Sequence, residues 1–146
     1  MRRQFVRFGL SKNVRLTFFD DVNIGFIRLS KLKWLETNTI DIGGGGMLVK
    51  VPVFVSEDDY VVLNLGIEGF SMPKLLVGRI RHKQRDEENR TNIGIEFIVR
   101  EGNSLLLPKS LVQNLPPQLF DFDEHKRKEL AHFLGEKYRH FLEDKE

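Results

Sequence analysis

The chain has 146 residues, of which 40% are hydrophobic, so it can bury one core of ordinary size and is predicted to form one principal domain. It contains no cysteine, which excludes disulfides and thiolate metal sites, and its net charge of +2 gives no overall nucleic-acid footprint. No stretch reaches the roughly 20 apolar residues of a membrane span, and the N-terminus lacks an apolar secretory signal. We therefore predict a soluble cytoplasmic protein without membrane insertion.

The first hundred residues are dominated by short apolar runs that alternate with polar positions and end at turn residues. A period of two fits these runs better than the 3.6-residue period of a helix, and many of them are rich in β-branched residues. They therefore predict β-strands, which we place at 13–19, 23–30, 37–42, 47–54, 60–67, 75–84 and 92–99.

The connections between these runs are short and carry ordinary turn residues, such as Asp20 and Asp21 before a hairpin return. Short connections favour antiparallel neighbours, and closing a sheet on itself removes its exposed edges. With the helix described next, the pattern predicts a mainly β fold, a six- to seven-stranded antiparallel β-barrel with a C-terminal amphipathic helix.

The pattern changes after the last predicted strand. From Asp121 apolar residues recur at three- and four-residue intervals, which predicts an amphipathic helix capped by Asp121 or Asp123 and packed on the barrel or on another subunit. Basic residues at 126–128 lie early in this helix, against the preference of the helix dipole. The apolar stripe consists of Leu130, Phe133, Leu134, Tyr138, Phe141 and Leu142.

Three segments of one domain are predicted from these patterns. Residues 1–100 form the barrel with an N-terminal arginine arm, and residues 121–146 form the helix. Between them, 101–120 is an irregular connection that includes a short helix at 109–114, which the following prolines end.

Two short motifs stand apart from the barrel pattern. Arg3 and Arg7 are four residues apart and follow Arg2, within a first nineteen residues that hold no acid. The second motif is Asp41, followed after Ile42 by the four glycines 43–46, between two predicted strands. Taken singly, the arginines are typical of a solvated basic tail, and the glycines of a tight barrel corner with positive φ. Together they favour a binding site.

These residues suit a flat anionic ligand. The glycine run is followed by a strand and by no Lys-Ser or Lys-Thr pair, so it is not the phosphate loop of a nucleotide hydrolase. A turn without side chains admits a flat ligand, and the Asp41 carboxylate can accept from the N1 and N2 edge of guanine. Arginine donates to guanine O6 and N7, stacks on a base or binds phosphate. The motifs therefore predict a site for guanine and phosphate.

The order of the two motifs resembles that of the PilZ family of cyclic di-GMP receptors, in which RxxxR precedes DxSxxG. Arg3 and Arg7 match the first motif, and Asp41 and Gly46 match the second. The segments at 77–81 and 94–97 resemble late barrel strands of that family, in which a terminal helix is also usual. The resemblance covers roughly residues 2–100.

The resemblance implies a role for each matched side chain. Arg3 and Arg7 hold phosphates and guanine faces, with Arg2 as a further cation of an arm that becomes ordered on the ligand. Asp41 reads a guanine edge. In related two-domain proteins the arm follows an upstream domain, and the sequence leaves open whether one precedes Met1.

The glycine turn departs from the family at Gly43, where the family has serine. Gly46 matches the family's glycine and permits close approach of the ligand, and Gly45 is predicted to contact the ligand with it. The absent hydroxyl removes a hydrogen bond worth about 0.5 to 1.5 kcal/mol, so we expect affinity to be roughly two- to tenfold lower.

The resulting prediction is a non-enzymatic cyclic di-GMP receptor whose conformation changes on binding. It relays the signal to an attached domain or to a protein partner in flagellar, secretion or polysaccharide machinery. No cofactor is expected, no nucleophile and base are linked by a motif, and the four histidines lack metal-ligand spacing.

Two alternatives stay open: a PilZ-like interaction adaptor without ligand, and a barrel that binds single-stranded nucleic acid. Arg79, Arg81 and Glu96 are predicted to face solvent, and Trp34 to pack partly in the core.

Overall fold

A computed structural model describes residues 5–19, 34–52, 59–85 and 90–141 of the chain. Six predicted strands are confirmed, the one at 13–19 with the same bounds and the other five with shifted ends, and the one predicted at 23–30 lies outside the described residues. A two-residue strand, β1, precedes them where an arm was expected. The strands are β1 (Arg7–Phe8), β2 (Asn13–Phe19), β3 (Leu35–Gly43), β4 (Gly46–Val51), β5 (Tyr60–Leu65), β6 (Leu76–Arg85) and β7 (Thr91–Phe97).

Strands β2 to β7 close into a barrel. The order in the sheet is β1-β3-β2-β5-β6-β7-β4, and β3 also pairs with β4, so six antiparallel strands form a ring. The additional strand β1 pairs with the last two residues of β3, Ile42 and Gly43. The predicted antiparallel barrel is therefore confirmed, and β1 brings the N-terminal segment to the end of β3.

Two apolar clusters lie on opposite faces of β5, which explains why this strand is buried almost throughout. Val61 and Leu63 point into the barrel, whereas Tyr60 and Val62 point to a second cluster beneath the segment that follows β7. Fully burying such a side chain contributes roughly 1.5 to 3 kcal/mol. The second cluster consists of Tyr60, Val62, Val77, Ile98, Leu107, Leu115, Leu119 and Phe120.

The segment predicted as irregular consists of short helical turns that its prolines interrupt. Helix α1 (Asn103–Leu106) and helix α2 (Lys109–Asn114) each end at a leucine in extended conformation. A proline follows each of these leucines, and the residue before proline avoids the helical region. The predicted helix at 109–114, ended by prolines, is confirmed.

The terminal helix, α3 (Glu124–Lys137), is shorter than predicted. Asp123 caps it as expected, because its carboxylate accepts a 2.8 Å hydrogen bond from the Lys126 backbone N–H. Leu130 and Leu134 are fully buried in the barrel core, which confirms that the apolar stripe packs on the barrel.

The prediction is wrong for the last residues of the apolar stripe. Tyr138 is the C-cap of α3 and not a helical residue, and Phe141 lies in a 3₁₀ turn with 53% of its surface exposed. Leu142 lies outside the described residues. In the described part of the chain, no helix is both long and apolar enough to cross a bilayer.

Candidate ligand-binding site

The glycine turn, defined as Gly43 to Gly46, joins β3 to β4 at one end of the barrel. The alternative interpretation of these glycines, a tight barrel corner with positive φ, does not hold, since among the described residues Gly69 is the glycine with positive φ. Close packing explains the glycines instead. A Cβ on Gly43 would collide with the Val6 carbonyl oxygen, and one on Gly46 would collide with the Ile95 carbonyl oxygen.

Arg7 lies across this turn because β1 pairs it directly with Gly43. Its Nη1 donates a 2.8 Å hydrogen bond to Oδ1 of Asp41, and the side chains of the pair are only 13% and 4% exposed. Its Nη2 lies 3.2 Å from the Cβ position of Gly46. The guanidinium is therefore held beside the turn by a partly buried ion pair, which removes much of the side chain's freedom before any ligand arrives.

A β-bulge precedes the carboxylate of this pair. Thr39 pairs with Val49 and Asp41 pairs with Leu48, so Ile40 is an extra residue in β3. Bulges commonly re-aim a side chain next to a functional site. Asp41 is accordingly a buried acid that faces Arg7, although it lies on a barrel strand in an otherwise apolar end of β3.

The structure brings together five of the seven predicted site residues: Arg7, Asp41, Gly43, Gly45 and Gly46. The other two, Arg2 and Arg3, lie outside the described residues.

The structure also corrects the interpretation of Gly43. The sequence suggested that a hydroxyl contact to the ligand is simply missing there. The space that a side chain at residue 43 needs is instead occupied by the backbone of Val6 and by the Cδ of Arg7. Gly43 is therefore what allows β1, and with it Arg7, to approach β3 closely.

Two residues at the turn were not found from the sequence: Phe5 and Arg127. The Phe5 ring contacts Gly44 and Gly45, and the Arg127 guanidinium lies 5.1 Å from the centre of that ring. The sequence contains a weak indication of each residue. Phe5 is the central residue of RxxxR, and Arg127 is one of the basic residues that lie early in α3 against the helix dipole.

The other polar residues considered in the sequence have structural contacts. Arg79 donates to the Leu106 carbonyl oxygen at 2.9 Å, and Arg81 lies 3.5 Å from Glu96 in a partly exposed ion pair. Trp34 packs partly buried against the second apolar cluster. None of these contacts involves the glycine turn.

A surface groove of about 550 Å³ lies elsewhere, between α3 and the segment after β5. Phe70 and Phe133 line it together with His125 and His132, and it includes neither Arg7 nor the glycine turn. Within the described ranges, no three histidine, aspartate or glutamate side chains are grouped as a metal site requires. Neither the groove nor a metal site involves the two sequence motifs. Residues of both motifs meet at the glycine turn, which is therefore the candidate site.

Comparison with a solved structure supports the same fold. The chain is similar to the Bacillus subtilis inhibitor of motility MotI/DgrA, with a TM-score of 0.59 and 11% identity over 96% of this chain and 53% of that one. It thus spans about half the length of that protein. It is also similar to Escherichia coli YcgR in complex with c-di-GMP, with a TM-score of 0.48, 12% identity and coverage of 96% and 47%. For the K. pneumonia MrkH–c-di-GMP complex the TM-score is 0.46, with 16% identity and coverage of 95% and 55%.

The sequence itself gives the family. No curated protein sequence matches the chain significantly. The profile of the PilZ domain, however, matches residues 1–112, which include β1, the whole barrel and the glycine turn. The match covers well over half of the 146 residues, and the chain therefore belongs to the PilZ domain family.

Proposed function

We propose that this protein is a non-enzymatic receptor for cyclic di-GMP, which binds at Arg7, Asp41 and the glycine turn. Membership of the PilZ family supports a ligand of this class. The observation that carries the proposal is the position of the Arg7 guanidinium, which Asp41 holds beside a turn that has no side chains.

Arg7 has the chemistry that a guanine dinucleotide requires. A guanidinium donates in a planar fork, so it can bind guanine O6 and N7, stack on a base or bind a phosphate. Holding it in place beforehand lowers the entropy cost of binding. In this proposal Arg2 and Arg3 add cations for the phosphates, as the RxxxR motif implies.

Asp41 has two roles in the proposal. Its Oδ1 accepts from Arg7 and so positions that side chain. Its second oxygen, Oδ2, can accept from the N1 and N2 edge of a guanine while Oδ1 keeps Arg7 in place. Gly45 presents no side chain to a flat base, and Gly46 brings the backbone of the turn close to β7 and to Arg7.

Relay to a partner is proposed to pass through α3, because this helix packs on the glycine turn. The Ala131 Cβ lies 2.8 Å from the Cβ position of Gly44, and the Arg127 carbonyl oxygen lies 3.0 Å from it. A ligand that enters over Gly44 therefore displaces or reorients α3. This movement changes the surface that the protein presents to an attached domain or to a partner in motility or polysaccharide machinery.

Calorimetric titration with cyclic di-GMP tests the proposal. We expect the wild type to bind, and Arg7→Ala to bind roughly 10- to 150-fold more weakly, since hydrogen bonds to a charged group contribute about 1.5 to 3 kcal/mol. Arg15→Ala is the matched control, because Arg15 is an exposed arginine on β2 that lies over Trp34 and does not contact the turn.

Two results overturn the proposal. One is the absence of binding by the wild type, and the other is equal affinity of Arg7→Ala and the wild type. A gel shift of mixed-sequence single-stranded RNA that weakens steeply with salt, without any effect of cyclic di-GMP, favours the nucleic-acid alternative. Circular dichroism of each variant shows whether the barrel is retained.

A further inference from the structure

The ring of Phe5 lies along the middle of the glycine turn. Its two δ carbons lie 3.2 Å from the Cβ positions of Gly44 and Gly45, one δ carbon at each glycine. Any side chain at these positions would push the ring away. The ring therefore rests on Gly45, whose Cβ position meets nothing else within 4 Å, and on the edge of Gly44 beside its contact with α3.

A cation of α3 also lies over this ring. The Arg127 guanidinium carbon lies 5.1 Å from the centre of the Phe5 ring, and its side chain is only 14% exposed. Glu124, one turn earlier in α3, accepts from both Nε and Nη2 of Arg127. The two hydrogen bonds orient the guanidinium. The space that the Phe5 ring occupies against the turn and Arg127 is called the slot below.

Such a slot is suited to any flat π-system. A guanidinium stacks on aromatic rings and on nucleobases alike, and a base has a larger face than a phenyl ring. A polar group that a guanine needs lies beside the turn, because the Arg7 Nη2 is 3.2 Å from the Cβ position of Gly46. Phe5 has no polar edge with which to use that group.

We propose that Phe5 is an intramolecular placeholder for a guanine base, and that Arg127 is a further ligand-contacting residue. This inference rests on the proposed function, whose site it extends to α3. On binding, Phe5 leaves the slot and a guanine stacks between the central glycines and Arg127. The apparent affinity is then reduced by the fraction of molecules in which Phe5 fills the slot.

Titration of Phe5→Ala with cyclic di-GMP tests the placeholder. Mutation of a binding-site residue usually weakens binding, whereas removal of a placeholder should strengthen it. We expect binding about three- to tenfold tighter than that of the wild type, since the competing cation–π contact is lost. Phe5→Leu keeps an apolar cover but no π face, and should lie between the two. Val6→Ala is the matched control, because Val6 is the adjacent residue and about half of its surface is exposed. The affinity of this variant for cyclic di-GMP should equal that of the wild type.

The outcomes separate this inference from the proposed function. Equal or weaker binding by Phe5→Ala, while the wild type binds, overturns the placeholder and leaves the receptor proposal in place. The absence of binding by every variant overturns both. Tighter binding by Phe5→Ala together with unchanged binding by Val6→Ala supports the inference.

Arg127 is tested in the Phe5→Ala background, because in the wild type its loss weakens the placeholder and the bound base alike. Adding Arg127→Ala to Phe5→Ala should weaken binding about tenfold, since base stacking on such a group is worth that order. Arg127→Lys keeps the charge without the planar face and should recover only part of the loss. No effect of Arg127→Ala in this background overturns the stacking role.

Discussion

Arg7 and Asp41 form an ion pair that joins β1 to β3, with 2.8 Å between Nη1 and Oδ1 and side chains 13% and 4% exposed. This pair differs from the one between Arg81 and Glu96, whose side chains are 42% and 34% exposed at 3.5 Å. Solvent screens the second pair and not the first. The two pairs should therefore contribute very differently to stability.

Removing the acid of the buried pair should destabilise the fold. Asp41→Ala leaves Arg7 without its partner in a partly buried position, which we expect to cost about 2 kcal/mol in the free energy of unfolding. Arg81→Ala is the matched control, with an expected loss of about 0.5 kcal/mol or less. Urea unfolding of both variants measures the difference, and equal losses would contradict the importance of the buried pair.

A serine at residue 43 should not restore the family's missing contact. Because its Cβ would collide with the Val6 carbonyl oxygen, Gly43→Ser must move β1 and Arg7. We expect a loss of about 1 to 3 kcal/mol in stability, together with weaker binding of cyclic di-GMP. Gly66→Ser is the control, since nothing lies within 4 Å of the Cβ position of Gly66. Tighter binding by Gly43→Ser would show that the hydroxyl, and not the close approach of β1, is what matters.

The site was predictable where two local motifs define it, and the barrel where apolar residues alternate. Arg7, Asp41 and the glycines could be found because their order along the chain is a family pattern. The reason for the glycines could not be found. Glycine is required there because of the carbonyl oxygens of Val6, which precedes β1, and of Ile95 in β7, and these oxygens become neighbours of the turn only in the folded barrel.

The slot was even less predictable from the sequence, because its residues become neighbours only in the folded protein. Phe5 and Arg127 are 122 positions apart, and no motif links them. Only the docking of α3 through Leu130 and Leu134 places the guanidinium over the ring. The length of α3 was also mispredicted, because Tyr138 continues the apolar spacing although the helix has ended.

Two glycines near α3 should respond in opposite ways to alanine. Gly135 lies inside the helix with nothing within 4 Å of its Cβ position, so Gly135→Ala should stabilise the protein by about 0.5 to 1 kcal/mol. Gly44→Ala would place its methyl 2.8 Å from the Ala131 Cβ and should be destabilising. Thermal unfolding measures both changes. A stabilising effect of Gly44→Ala would contradict the close packing of α3 on the turn.

The helix cap should make stability depend on pH in the acid range. The Lys126 backbone N–H donates to the Asp123 carboxylate and holds the pKa of that group below its ordinary value of 3.8. The unfolded chain therefore binds the proton more readily. The stability from this cap is present above the ordinary aspartate pKa and is lost as the pH falls through the lower pKa of the folded protein.

Two variants of Asp123 isolate this effect. Asp123→Ala has no cap at any pH, so its deficit relative to the wild type should shrink as the pH is lowered from 7 towards 2. Asp123→Asn caps the helix without titrating, so the difference in stability between Asp123→Asn and Asp123→Ala should not change with pH. Urea midpoints across this range provide the measurement. A wild-type advantage over Asp123→Ala that persists unchanged at the acid end would show that the charge of Asp123 does not stabilise α3.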